Sequence, residues 1–400
     1  MTRHSGDLES VRRQLRREIA PGTEGRPSIR CATKAVLWVS ALVLVVALVL
    51  GAVYLAPRVL RSRRDESSQP YHYREIVWSP NGRLLAIGTD RPSHGILVID
   101  RKSGRRHFLP VQPPPGGDGP IWLSFSADNR TLLYSVWPSL ERMIDAMGEP
   151  GLRGSNRVQA IDARSGKIAL NVEGVVGAWA PKGDRLYYSR YSSGPGGQGL
   201  YLASLKTPND RGTRVSTHGP SYQLIYPSPN GRYCVFTAEA AYLADLQTHT
   251  MKVLWTTQSP MFVPIRWSRD SSRFVYLDSS FGWPGKIYEV RPDAPNPTKI
   301  GEVGYDVSGF SAQFSPDLRV VAYVMEGARP ARVRSLCLVT VGQTGSRAVA
   351  KGKGVHHFTW SPSGDEIAGI RRRGSREEVW IYTGDGRSGK KLCDLGPATK

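Results

Sequence analysis

The sequence predicts an all-β chain: a seven-bladed β-propeller of four-stranded antiparallel blades, preceded by one transmembrane helix. Three observations predict it. A short turn motif returns seven times between residues 71 and 400. Apolar runs of strand length flank each copy. One uncharged stretch, Ala35–Ala56, stands ahead of the first copy.

The motif opens as Trp78-Ser79-Pro80-Asn81-Gly82-Arg83. Later copies start at Phe125, Trp179, Pro227, Trp267, Phe314 and Trp360. Aligned on their second residue, they fall at 79, 126, 180, 228, 268, 315 and 361, spacings of 47, 54, 48, 40, 47 and 46. A fixed period in this range marks a repeat array. Ser, Pro, Asn and Gly each suit one position of a tight turn, so every copy joins two strands. The second strand follows at once, as in Leu84–Ile87, Leu186–Tyr188 and Ile367–Ile370. A third comes later, as in Ile96–Ile99 and Val158–Ile161, and ends in a polar turn such as Asp100-Arg101-Lys102-Ser103-Gly104. A short fourth strand closes the unit. Such a sheet cannot bury both faces alone, whereas seven stacked radially can. Irregularity in the fifth or the long second repeat would reduce the count to six.

The aromatic-Ser-Pro-Asp/Asn-Gly repeat resembles that of TolB-like propellers, which are also similar in kind to WD repeats. The resemblance covers residues 71–400. Copy two departs with Ala127 for Pro, copy four with Pro227 for the aromatic, and copy five with Arg269 for Pro and no Gly. The resemblance implies an exported propeller that makes protein–protein contacts across its mouths.

Ahead of the propeller come three segments. Residues 1–34 form a basic tail in which Leu8, Val11, Leu15 and Ile19 share one helical face among arginines. Such a helix can lie on an anionic leaflet, and a loosely ordered tail explains it equally. Residues 35–56 are long enough to cross a bilayer once. The long leader and the lack of a small-residue cleavage site favour an uncleaved anchor over a signal peptide. Residues 57–70 are a charged linker. Basic residues flank both ends of the span, so the positive-inside comparison is a tie. Export of the propeller decides the expected orientation: N-terminus cytoplasmic, residues 71–400 periplasmic or on the cell surface.

The chain carries 54 Lys+Arg against 34 Asp+Glu. A basic surface suits acidic partners, yet no Lys/Arg block stands beside stacking aromatics, so nucleic acid is not expected. Arg83, Arg130, Arg185, Arg232, Arg273 and Arg319 follow the turns and are expected to ring one face.

Apparent catalytic motifs dissolve on inspection. Gly384–Lys391 resembles a phosphate loop but lacks the Ser/Thr for Mg²⁺ and precedes a strand, so it reads as a hairpin turn. Gly194–Gly199 matches a dinucleotide fingerprint by letters but lies between strands. No Gly-x-Ser-x-Gly occurs, and the chain ends after blade seven. No Cys-x-x-Cys occurs; Cys234 and Cys337 read as core residues, with a Cys337–Cys393 disulfide conceivable. The reading is of a protein without enzymatic activity, cofactor or metal.

Residues opening the innermost strands are expected to ring one channel mouth. Arg74, Glu75, Trp122, Gln223 and His357 are the candidates for binding there. Blade packing and solvent exposure explain them equally. The expected role is a membrane-anchored, monomeric propeller acting as a protein-binding scaffold or sensor in the cell envelope. Its partners would be the lipid bilayer, through Ala35–Ala56, and an unidentified protein or glycan on a propeller face. The alternatives are a small-molecule or glycan receptor at the mouth, and a propeller-type hydrolase or lyase.

Overall fold

A computed structural model describes residues 73–396, apart from 90–92, 114–118, 137–155, 191–196, 198, 208–209, 217–223, 238–239, 257–263, 279–284, 304–306, 327–333, 344, 351–353 and 375. The expected membrane span Ala35–Ala56, the tail and the linker lie outside the described residues. Among the described residues, no helix is long and apolar enough to cross a membrane.

The described strands pair in chain order. Blade 1 is β1 (Tyr73–Trp78), β2 (Leu84–Thr89), β3 (Gly95–Asp100) and β4 (Arg106–Pro110). Blade 2 is β5 (Ile121–Phe125), β6 (Thr131–Val136), β7 (Arg157–Asp162) and β8 (Ile168–Glu173). Blade 3 is β9 (Gly177–Trp179), β10 (Arg185–Arg190), β11 (Gly199–Ser204) and β12 (Thr213–Ser216). Blade 4 is β13 (Leu224–Pro227), β14 (Tyr233–Thr237), β15 (Ala240–Asp245) and β16 (Thr250–Thr256). Blade 5 is β17 (Ile265–Trp267), β18 (Phe274–Asp278), β19 (Gly285–Val290) and β20 (Thr298–Val303). Blade 6 is β21 (Val307–Phe314), β22 (Val320–Glu326), β23 (Arg334–Thr340) and β24 (Arg347–Ala350). Blade 7 is β25 (Val355–Trp360), β26 (Glu366–Arg373), β27 (Arg376–Thr383) and β28 (Gly389–Gly396). Seven four-stranded antiparallel sheets result, so the count is seven blades. The first strands of neighbouring blades pack together around the whole circle, with β25 against β1. They form the inner ring around the axis.

The repeated motif is a turn held by its own serine. In blade 1, the Gly82 N–H donates to the Ser79 carbonyl at 2.8 Å. The Leu84 N–H donates to Ser79 Oγ at 2.8 Å, and that hydroxyl donates to Asn81 Oδ1 at 2.8 Å. Ser126, Ser228 and Ser315 repeat the pattern with Asp128, Asn230 and Asp317. The fourth position is left-handed in every copy: Gly82, Asn129, Gly183, Gly231, Ser271, Leu318 and Gly364. Glycine does this without strain. Two of the departures carry a compensating bond. Asn129 Oδ1 accepts the Asn81 N–H of the previous blade at 2.8 Å, and Ser271 Oγ accepts the Asn230 N–H at 2.9 Å.

The core lies between the blades. One cluster joins Ile76, Trp78 and Leu85 of blade 1 to Ala368, Ile370 and Val379 of blade 7. Others join blades 1 and 2, through Leu109 and Phe125, and blades 6 and 7, through Leu336 and Trp360. Gly384–Lys391 is the β27–β28 hairpin turn, with Gly386 left-handed and its N–H donating to the Thr383 carbonyl at 2.7 Å. Cys234, Cys337 and Cys393 are free thiols. The Cys337–Cys393 disulfide is therefore not formed: Cys337 packs in the cluster between blades 5 and 6, and Cys393 against the cluster between blades 7 and 1.

Candidate functional site at the channel mouth

Side chains on an inner strand alternate between its two faces. In blade 1, Ile76 and Trp78 pack towards blade 7, which turns Glu75 towards blade 2. There the carboxylate meets a bulge. The β5–β6 register slips between Ile121 and Ser124, which releases the intervening N–H groups from the ladder. Trp122 sits in the slip with φ 53°, a left-handed value that L-residues rarely adopt. Glu75 Oε2 accepts the Leu123 N–H at 2.8 Å, and the Trp122 N–H also bonds to the carboxylate. Burial pushes the Glu75 carboxyl up to about 7, and the two backbone donors oppose that rise. The half-buried Trp122 ring reaches the cluster of Val176, Leu200 and Ile225, which joins blades 3 and 4. Glu75 thus sets the backbone that sends Trp122 along the mouth.

His357 lies on β25, with a register slip between Val355 and His357. Phe358 and Trp360 pack towards blade 6, and His356 receives Arg334 Nη1 at 3.2 Å on that same face. His357 therefore takes the face towards blade 1. Of the expected mouth residues, Glu75 and Trp122 are brought together, and His357 stands on the neighbouring inner strand. The Arg74 side chain and Gln223 lie outside the described residues.

A second set of inner-ring residues was missed in the sequence. Each immediately precedes the motif's aromatic position: Val77, Ser124, Ala178, Tyr226, Arg266, Gln313 and Thr359. Where the following blade carries tryptophan, the carbonyl of this residue accepts its indole N–H. Trp78 Nε1 donates to Thr359 O at 3.3 Å, Trp179 to Ser124 O at 3.2 Å, Trp267 to Tyr226 O at 2.9 Å and Trp360 to Gln313 O at 3.2 Å. Side chains of this set bond forwards as well. Arg266 Nη1 donates to Phe314 O at 3.3 Å, and Gln313 Nε2 to Phe358 O at 2.9 Å. Burial pulls the Arg266 guanidinium down to about 10. Aligning the repeat one residue before its aromatic would have exposed this set.

The arginine ring on the opposite face is partly neutralised within the blades. Arg83 pairs with Asp100 at 2.7 Å, Arg232 with Asp245 at 3.0 Å and Arg273 with Glu289 at 3.0 Å. Among the described residues, no group of three His, Cys, Asp or Glu side chains could hold a metal ion.

The fold and mouth define a seven-bladed propeller closed on side-chain contacts. No family profile matches the sequence, and no curated protein matches it. Solved structures do. The chain is similar to one from a structural and mechanistic study of two prolyl endopeptidases, with TM-score 0.60 and 11% identity, over 84% of this chain and 52% of that one. It is similar to the beta-propeller domain of Myceliophteria thermophila Cps50 (Swd1), with TM-score 0.55 and 13% identity, over 77% of this chain and 96% of that one. It is also similar to TolB from Acinetobacter baumannii, with TM-score 0.45 and 15% identity, over 82% and 79% of the two chains. At these identities the first two likenesses establish the fold alone.

The endopeptidase likeness corrects the expectation of a protein without enzymatic activity. This chain spans about half the length of the endopeptidase chain, and the shared propeller serves there in an enzyme. A propeller is a scaffold on which catalytic and non-catalytic proteins are both built. The missing Gly-x-Ser-x-Gly removes one nucleophile arrangement from this sequence and no other chemistry.

Proposed function

We propose that the chain is a single-pass, membrane-anchored propeller serving as a protein-binding scaffold or sensor module in the cell envelope. The mouth around Trp122 is its docking point. The observation that carries this reading is Trp122 itself. A large aromatic is held at the mouth in a left-handed conformation, with its N–H and that of Leu123 committed to Glu75. Backbone strain concentrates at binding sites, and half-buried tryptophan is a preferred anchor in protein interfaces. The indole-to-carbonyl bonds between blades supply the stiff frame such a docking point needs. Ala35–Ala56 supports the anchor by its length and lack of charge.

The test is affinity capture of the full chain from mild detergent, with a photo-crosslinking residue at position 122. A protein crosslinked there, and lost with Trp122→Ala, supports the reading. A partner retained at equal yield by Trp122→Ala moves docking away from the mouth. Crosslinking only to a glycan or small molecule replaces the protein partner with a ligand. Protease added to intact cells tests the topology: a propeller cut only after lysis refutes the envelope placement.

A further inference from the structure

A cleft of about 780 Å³ lies between blades 3 and 4, away from the mouth and on the face that carries the motif turns. Its size is in the range that encloses small organic ligands. Leu202, Val215 and Leu246 contribute an apolar lining that continues into the blade 3–blade 4 cluster. Arg185, Arg214, Arg232 and His249 also line it. The acid among the lining residues, Asp210, is already committed. It accepts the Ser204 N–H at 2.7 Å and the Gly212 N–H at 2.9 Å, holding the turn before β12.

One of these cations is set apart by a departure of blade 3 from blades 1 and 4. In blades 1 and 4, the first residue of the second strand faces an aspartate on the third: Leu84 faces Asp100, and Tyr233 faces Asp245. That aspartate holds the preceding arginine, Arg83 or Arg232. In blade 3 the preceding residue is Asp184, drawn off to Lys206 at 3.4 Å. The arginine has moved one place, to Arg185, and the residue facing it is Ser204. Among the described residues, no carboxylate pairs with Arg185. The cleft therefore combines an apolar wall with one arginine, Arg185, that lacks the intrablade acid holding Arg83 and Arg232.

We propose that this cleft binds a small organic anion: an apolar body bearing a phosphate or carboxylate. The body lies on Leu202, Val215 and Leu246, and the anionic group is taken by Arg185. Guanidinium groups suit both oxyanions through paired N–H donors. Nothing in this inference depends on the docking point at Trp122.

The test is isothermal titration calorimetry on the full chain in detergent, with phenyl phosphate and benzoate as separate probes. Saturable one-to-one binding of at least one is expected. Arg185→Ala should weaken it about tenfold, the loss of one or two charge-assisted hydrogen bonds. Arg130→Ala, at the corresponding turn of blade 2, should leave it unchanged. Four results overturn the proposal. They are no binding of either probe, equal binding of inorganic phosphate or of phenol, binding indifferent to Arg185→Ala, and equal weakening by Arg130→Ala. Arg185 is exposed at the start of β10, so its replacement leaves the core intact.

Discussion

Ser79 shows how one residue type writes the repeat. It is fully buried, although serine usually sits outside, because its hydroxyl replaces solvent for the Leu84 N–H. Ser79→Ala leaves that donor without a partner, and a buried orphan costs about 1–3 kcal/mol. Urea denaturation should show a loss of that size; a change of a few tenths would mean that the strand ladder alone fixes the turn. Glu75 makes a different prediction, in pH. Its carboxyl is held near 7 in the folded chain, above an ordinary value of 4.5. The folded state therefore binds more protons than the unfolded state between those values. The stability Glu75 lends is complete below 4.5 and is lost as pH rises through about 7. The amplitude is on the order of 3 kcal/mol. Stability measured at about pH 5 and about pH 8 should differ by such an amount in the wild type, and Glu75→Gln should remove that difference. An unchanged pH profile in the variant would assign the titration elsewhere. The sequence placed Glu75 and Trp122 at one mouth from their offset before the motif. It could not show the left-handed Trp122, because the slip between Ile121 and Ser124 has no letter pattern.

Among elements, the inner strands carry the finding that sequence reading half saw. The motif's aromatic was legible as the end of an apolar strand run before the turn. That the indoles of Trp78, Trp179, Trp267 and Trp360 also staple neighbouring inner strands was not. The acceptor is a backbone carbonyl in the preceding blade, and a carbonyl is the same at every residue. Where the motif has Phe314 in place of tryptophan, Arg266 of blade 5 supplies the bond instead. Trp267→Phe keeps most of the packing against Tyr233 and Phe274 and removes only the N–H. Its cost should be about 0.5–1.5 kcal/mol, the net value of one hydrogen bond. Replacing Phe274, fully buried in the same cluster, by Ala should cost about 3–5 kcal/mol. Equal losses for the two variants would mean that the indole bond bears as much as the core.

For the whole molecule, the question is what shuts the ring. Among the described residues each blade takes its four strands consecutively, and no described strand is shared between the first and last blades. The seven-fold count and the order of strands were legible, because a recurring turn between apolar runs constrains pairing to neighbours. Closure was not, because its contacts join residues from opposite ends of the propeller, 265 to 288 positions apart. They are side-chain contacts. Trp78 donates to Thr359 O, and Arg101, stacked 5.5 Å from the Trp78 ring centroid, meets Glu366 at 2.5 Å. Arg106 Nη1 donates to Asp394 O at 2.5 Å. Beneath them, Ile76, Leu85 and Ile87 of blade 1 bury against Ala368, Ile370 and Ile381 of blade 7. Removing blade 7 exposes this cluster and also the one that Val324 and Leu336 of blade 6 share with Phe358 of blade 7. Repeat arrays draw much of their stability from such interfaces, and an opened ring loses two at once. A chain cut before Val355 should therefore lose its single sharp unfolding transition and associate through the two bared faces. Arg101→Ala, which spares both clusters, should keep the transition and shift it by no more than about 1 kcal/mol. Size-exclusion chromatography and a denaturation curve on each variant read both outcomes. A cut chain that stays monomeric and unfolds at the wild-type midpoint would show that blades 1–6 stand alone, with closure a consequence of their packing and not a support for it.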